Sequence, residues 1–142
     1  MQIFNVSEFP YLHFGDFPER RIRLLASPGT TGEERCCIVA ASIPPGGISE
    51  GHIHPESDEY IYFDIGGTVR IDGQDYPVEE KSMAYAKKGS LHECVNTSPD
   101  RELTLICFFI PAFEPYGKYP ELIEKTKAYI RQAKNPCKEE GI

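Results

Sequence analysis

The stretch Glu59-Tyr60-Ile61-Tyr62-Phe63-Asp64-Ile65-Gly66-Gly67-Thr68-Val69-Arg70-Ile71-Asp72-Gly73-Gln74-Asp75-Tyr76-Pro77-Val78 decides the fold class. Its first part carries Tyr, Ile and Phe, residues that suit a pleated, half-buried backbone. Gly66-Gly67 divides that run from Thr68 to Asp72, and Asp72-Gly73 is a hairpin signal, since the favoured two-residue turn asks for positive φ at both positions. The reading is therefore strand, turn, strand, hairpin and strand. Working outward, further strands are expected at Arg21 to Ala26, Arg35 to Ser42, Ser82 to Ala86, Leu91 to Thr97 and Glu102 to Ile110. Short strands spaced by Gly and Pro turns, with no helices between them, point to an all-β sandwich or barrel rather than βαβ units.

Beyond the last strand, Pro111, Pro115 and Pro120 break pairing, and Pro120 suits the first turn of a helix. Leu122, Ile123, Thr126, Tyr129, Ile130 and Ala133 recur at helical spacing, so Glu121 to Lys134 is expected to form an amphipathic helix on the outside of the barrel. One domain over residues 1–142 follows, with a barrel core at about 21–111 and a C-terminal helix at about 120–135. A chain of this length buries roughly two-thirds of its unfolded surface and folds without staples.

Charge and composition remove several function classes. Fifteen Lys plus Arg against 22 Asp plus Glu leave a net charge of −7, which repels phosphate backbones and anionic membranes. Leu103 to Ala112, the longest apolar run, is far short of the roughly 20 residues a membrane helix needs. No basic-then-apolar leader is visible at Met1 to Glu8, and five Cys without a CxxC fit thiols in a reducing cytosol. A cytoplasmic protein with no nucleic-acid or membrane partner is the expectation.

The chemistry concentrates just before the opening stretch, in Gly46-Gly47-Ile48-Ser49-Glu50-Gly51-His52-Ile53-His54-Pro55-Glu56-Ser57-Asp58-Glu59. His52 and His54 lie two apart, so an extended backbone sends both imidazoles to one face. A turn at Pro55 to Asp58 lets Glu59 return a carboxylate beside them, and His92 enters from another strand with Cys94 and Asn96 on its own side. Three of the four histidines are thus compatible with one metal site.

Gly46-x5-His52-x-His54-x4-Glu59-x6-Gly66 resembles the first motif of the cupin superfamily in full, and Gly89-x2-His92-x3-Asn96 resembles the end of its second. The resemblance covers about Arg35 to Ile110. It implies a double-stranded β-helix, or jelly-roll, barrel in which one divalent transition metal ion is held by His52, His54, Glu59 and His92. Where the second motif usually has Gly and Pro, this chain has Lys81 and Lys87.

Three imidazoles and a carboxylate suit Fe, Mn, Ni, Co, Cu or Zn, and leave two octahedral positions for water, O₂ or a bidentate substrate. Two functions are consistent with that set. One is a metal-dependent enzyme acting on a small polar or anionic organic molecule, as an oxygenase or as an isomerase, lyase or decarboxylase. The other is a non-catalytic module that binds or senses a small ligand or metal. Strand parity places Ile61 and Phe63 beside Glu59, and Cys94, Asn96 and Tyr85 are further candidates for the substrate pocket. Arg21 and Arg23 are candidate clamps for a substrate carboxylate or phosphate. His13 is expected to be a surface or packing residue. A homodimer paired through sheet edges is also expected, with Gln2 to Val6 as an alternating run that can extend a partner's sheet.

Overall fold

Inward and outward side chains alternate along the strands at residues 58–63, 92–95 and 103–110, and those inward faces build the core. The computed structural model describes residues 1–13, 20–49, 52 and 54–133. The strands are β1 (Leu12–His13), β2 (Arg21–Ala26), β3 (Cys37–Ile43), β4 (Asp58–Phe63), β5 (Gly67–Ile71), β6 (Gln74–Val78), β7 (Ser82–Ala86), β8 (His92–Val95) and β9 (Leu103–Ile110), followed by helix α1 (Pro120–Gln132). They form two antiparallel sheets, one in the order β1-β2-β3-β9-β4-β7 and one in the order β6-β5-β8. Isolated bridges from Ile48 to Val95 and from His52 to His92 add a further segment to the free side of β8. The fold is the jelly-roll barrel with a C-terminal helix that the sequence led us to expect.

The core lies between the sheets. Glu59, Ile61 and Phe63 point inward from β4, while Leu103, Leu105, Cys107 and Phe109 do so from β9. Gly67 is required between its neighbour strand and the facing sheet, because a Cβ there would lie 2.6 Å from the Val95 carbonyl oxygen of β8 and 3.3 Å from the Phe63 ring of β4. At the β5–β6 hairpin Asp72 and Gly73 have φ of 48° and 82°, as the Asp-Gly reading requires.

Side-chain hydrogen bonds explain where strands stop short of the expected ends. Arg35 donates its backbone N–H and its guanidinium to Glu33, which folds that segment on itself, so β3 starts at Cys37. Asp64 accepts from the backbone of Ile65 and Thr104 and turns the chain after Phe63. Asn96 donates its amide to the carbonyls of Ile43, Pro44 and Arg101 and accepts from Ser98 N–H, ending β8 at Val95.

Helix α1 opens with Pro120 and buries Leu122 and Thr126. Its Tyr129 packs on Phe9 at 4.6 Å, and the Tyr129 hydroxyl accepts from Asn5 N–H. The expected final helical residue, Lys134, lies outside the described residues. Gln2 to Asn5 is not a strand; it leads into a single 3₁₀ turn, Val6–Glu8, tied back onto this chain's own helix. No helix among the described residues is long and apolar enough to cross a membrane.

Candidate metal centre

Register places the first two imidazoles together. His52 and His92 face each other as a hydrogen-bonded antiparallel pair, each N–H donating to the other's carbonyl at 3.1 Å, so their side chains leave the same face. Their rings lie 4.4 Å apart, and His54 follows with its ring 4.7 Å from that of His52. Glu59 arrives from β4 in the other sheet. One ligand atom from each of the four residues lies within 4.8 Å of all the others.

Glu59 Oε1 lies 2.7 Å from His92 Nε2, 3.5 Å from His54 Nε2 and 3.7 Å from His52 Nε2. Ligands at roughly 2.1 Å from a shared octahedral ion would sit roughly 3 Å apart when adjacent and 4.2 Å when opposite. The separations of 3.5 and 3.7 Å fall inside that range and the 2.7 Å one just below it. A second fit comes from His92 Nδ1, which lies 3.2 Å from the Ser90 carbonyl, a group that can only accept. Nδ1 therefore carries a proton, and Nε2 approaches an ionised carboxylate at 2.7 Å. A cation, either a proton or a metal ion, is needed between them. Third, His54 Nε2 is buried without a hydrogen-bond partner, as a nitrogen reserved for a metal would be. The donor set fits a divalent transition metal ion, and gives no preference among those ions.

The electrostatics agree. Burial works to raise the Glu59 carboxyl, but hydrogen bonds and charge from His52 and His92 outweigh it and hold its pKa down to about 2. Desolvation, with help from the neighbouring imidazoles, brings His54 down to about 4 despite the attraction of Glu59. At neutral pH both residues carry the protonation state that a metal requires. Burial also pushes the Cys94 thiol up to about 12 and raises Cys107 and Tyr116, so these remain protonated. Cys36, Cys37, Cys94 and Cys107 are free thiols.

The cluster opens into a cavity of about 270 Å³ between the sheets. Ile61 and Cys94 line it, as strand parity suggests. The other pocket candidates lie elsewhere. Phe63 is fully buried in the core and does not line the cavity, and Asn96 is spent on the carbonyls of Ile43, Pro44 and Arg101. Tyr85 is 48% exposed on the outer face of β7, where its ring meets that of Tyr60 at 5.0 Å. Arg21 and Arg23 alternate with inward Ile22 and Leu24 and face away from the barrel. Arg21 pairs with Glu102 at 2.6 Å, while Arg23 donates to the Phe9 carbonyl and lies over Tyr11. His13 is exposed on β1 against the Tyr11 ring.

Three polar wall residues were not singled out from the sequence, Arg20, Ser49 and Tyr116. Arg20 is 4% exposed and lines the cavity, as does Tyr116 from the loop after β9. Arg20 was detectable, since it shares strand parity with inward Ile22 and Leu24. Tyr116 sits in a proline-broken loop with no periodicity to reveal it.

Comparison with known proteins places this geometry. The cupin domain family matches residues 39–109, the span from within β3 to within β9 that holds all four cluster residues. A curated relative, the tetracenomycin polyketide synthase protein TcmJ of Streptomyces glaucescens, is 28% identical over 75 residues, 52% of this chain and 50% of that protein. The chain therefore spans about half the length of the curated relative it matches. A structure described as a predicted oxalate decarboxylase from Thermotoga maritima superposes with a TM-score of 0.67 at 18% identity, over 77% of this chain and 98% of that one. KdgF from a Halomonas species gives 0.65 at 18% identity over 82% and 98%. An RmlC-like cupin from Shewanella frigidimarina gives 0.62 at 17% identity over 78% and 90%. At these identities the likeness is one of fold. With the family match covering half the chain and the barrel and cluster in place, this chain belongs to the cupin domain family.

Proposed function

We propose that this cupin holds one divalent transition metal ion through His52, His54, Glu59 and His92 and uses it as an enzyme on a small polar or anionic organic molecule. The observation that carries the reading is the four-donor cluster set into a largely apolar cavity, a preorganised centre beside a space for a small molecule. When bound, the ion would supply Lewis acidity, and redox chemistry if it is iron, manganese or copper. The chain's own contribution is to preset that site. Ser90 accepts from His92 Nδ1, the Phe109 ring at 4.6 Å limits how far His54 can turn, and Ile61, Leu105 and Phe109 give the cavity an apolar wall.

Oxygenase chemistry and isomerase, lyase or decarboxylase chemistry both use such a centre. The names of the relatives, a polyketide synthase protein and a predicted oxalate decarboxylase, favour small oxygen-rich substrates. One observation favours the non-catalytic alternative: Cys94, Cys107 and Tyr116 are all held protonated by burial, so these wall residues offer no ready base beside the cluster. A screen of small carboxylates, diketones and sugar acids on metal-loaded protein, with and without oxygen, separates the readings. Oxygen consumption selects an oxygenase and turnover without oxygen a non-redox enzyme. Saturable binding with no turnover of any compound would contradict the enzymatic proposal.

A further inference from the structure

The cavity has a second polar pole. Register separates it from the first: Glu59 pairs with Phe109, which pairs with Cys37, whereas Arg21 pairs with Ser42, which pairs with Thr104, five positions farther along β9. Arg20 precedes β2 at that far end and lines the cavity that the histidines open into. Tyr116, from the loop after β9, lines the same cavity. Ile22, Val39, Ala41 and Leu105 line the same cavity and are apolar.

We infer that Arg20, assisted by the Tyr116 hydroxyl, is the anion-recognising end of this cavity, and that its ligand is a small organic acid with a carboxylate at one end and a metal-binding oxygen at the other. The second half of that description rests on the metal reading above. A guanidinium presents a planar fork of donors that matches a carboxylate in two parallel hydrogen bonds. A chain of net charge −7 repels anions on average, so an acid entering this barrel needs a local cation, and Arg20 is the Lys or Arg residue among the cavity-lining residues. Arg20 and Tyr116 each already hold a partner, so the acid joins or exchanges with existing contacts rather than filling an idle site. A volume of about 270 Å³ suits a ligand smaller than drug size, for which pockets run roughly 300–1,000 Å³.

The test is calorimetric titration of the Mn(II)-loaded and the chelator-treated full chain with malonate, succinate, glutarate and adipate, each against the monocarboxylate of equal carbon number. At one chain length the dicarboxylate should bind at least about tenfold tighter than its partner, the scale of a charge-assisted hydrogen-bonded contact. Arg20→Gln should erase that preference and Tyr116→Phe should narrow it. If Arg20→Gln does not fold, the wild-type preference and its narrowing in Tyr116→Phe decide the matter. Failure of wild type to bind any of these acids, equal affinity at every chain length, or a preference that survives in Arg20→Gln would each overturn the assignment. An Arg20-dependent preference unchanged by metal removal would support the anion pole and count against the metal reading. Metal-dependent binding that ignores the second carboxylate would sink the anion pole alone.

Discussion

His54 is the residue at which stability and function are set against each other. Its Nε2 is buried without a hydrogen-bond partner, which costs stability that a bound ion would restore. His54→Leu should therefore leave the metal-free protein as stable or more stable by about 1 kcal/mol, a rise of roughly 2–4 °C in melting temperature, while abolishing stabilisation by added metal. Thermal scans with and without Mn(II) or Zn(II) check both halves, and a variant that keeps its metal-induced shift would contradict the assignment. The pH dependence follows from the same two ionisations. His54 titrates at about 4 in the folded chain against an ordinary 6.5, and Glu59 at about 2 against 4.5. In both windows the unfolded chain binds more protons than the folded one, so stability rises with pH. Metal-free protein should lose of order 2 kcal/mol as pH falls from about 6.5 to 4, with a further loss below 4.5 as Glu59 is protonated. Denaturant titrations across pH 7 to 4 measure it, and a flat profile would contradict the buried, neutral His54.

At the scale of elements, two turns carry most of the information. Asn96 ties the end of β8 to three carbonyls from two loops, and none of those bonds can be replaced by water in a fully buried position. Asn96→Ala should cost about 2–4 kcal/mol in chemical denaturation and loosen the strand that bears His92. Lys81, between β6 and β7, has φ of 58°, the conformation that glycine takes without penalty. This is the position where the second cupin motif usually has Gly, so the backbone shape is kept while the residue type is not. Lys81→Gly should raise stability by about 0.5–1 kcal/mol, read from the same denaturant curves, since relief of the left-handed strain exceeds the added chain entropy. The β2, β6 and β7 spans were legible because alternation and turn residues agree there. The ends of β3, β4 and β8 were not, because Glu33, Asp64 and Asn96 reach over and capture backbone groups, and such captures depend on tertiary neighbours rather than on local pattern. The same limit hid the cavity wall: parity orders residues within a strand, yet it gives no view of how deep Phe63 sits or of which loop brings in Tyr116.

Across the whole molecule, the cluster joins two layers. His52 and His92 stand on the smaller sheet and its bridged segment, whereas Glu59 stands on the larger one, so an ion held by all of them staples the barrel shut at one end. Binding free energy then appears as folding stability, because the unfolded chain has no such site. An acidic chain can keep an apolar interior with a buried carboxylate in it because the His52 and His92 imidazoles match that carboxylate, and a bound dication would add to the match. The most direct measurement is elemental analysis of protein purified without a metal-affinity column, incubated with Fe(II), Mn(II) and Zn(II), and dialysed. The account predicts close to one transition metal ion per chain in wild type and a small fraction of that in Glu59→Ala. A wild-type chain that retains no ion, or a Glu59→Ala chain that retains as much as wild type, would contradict it.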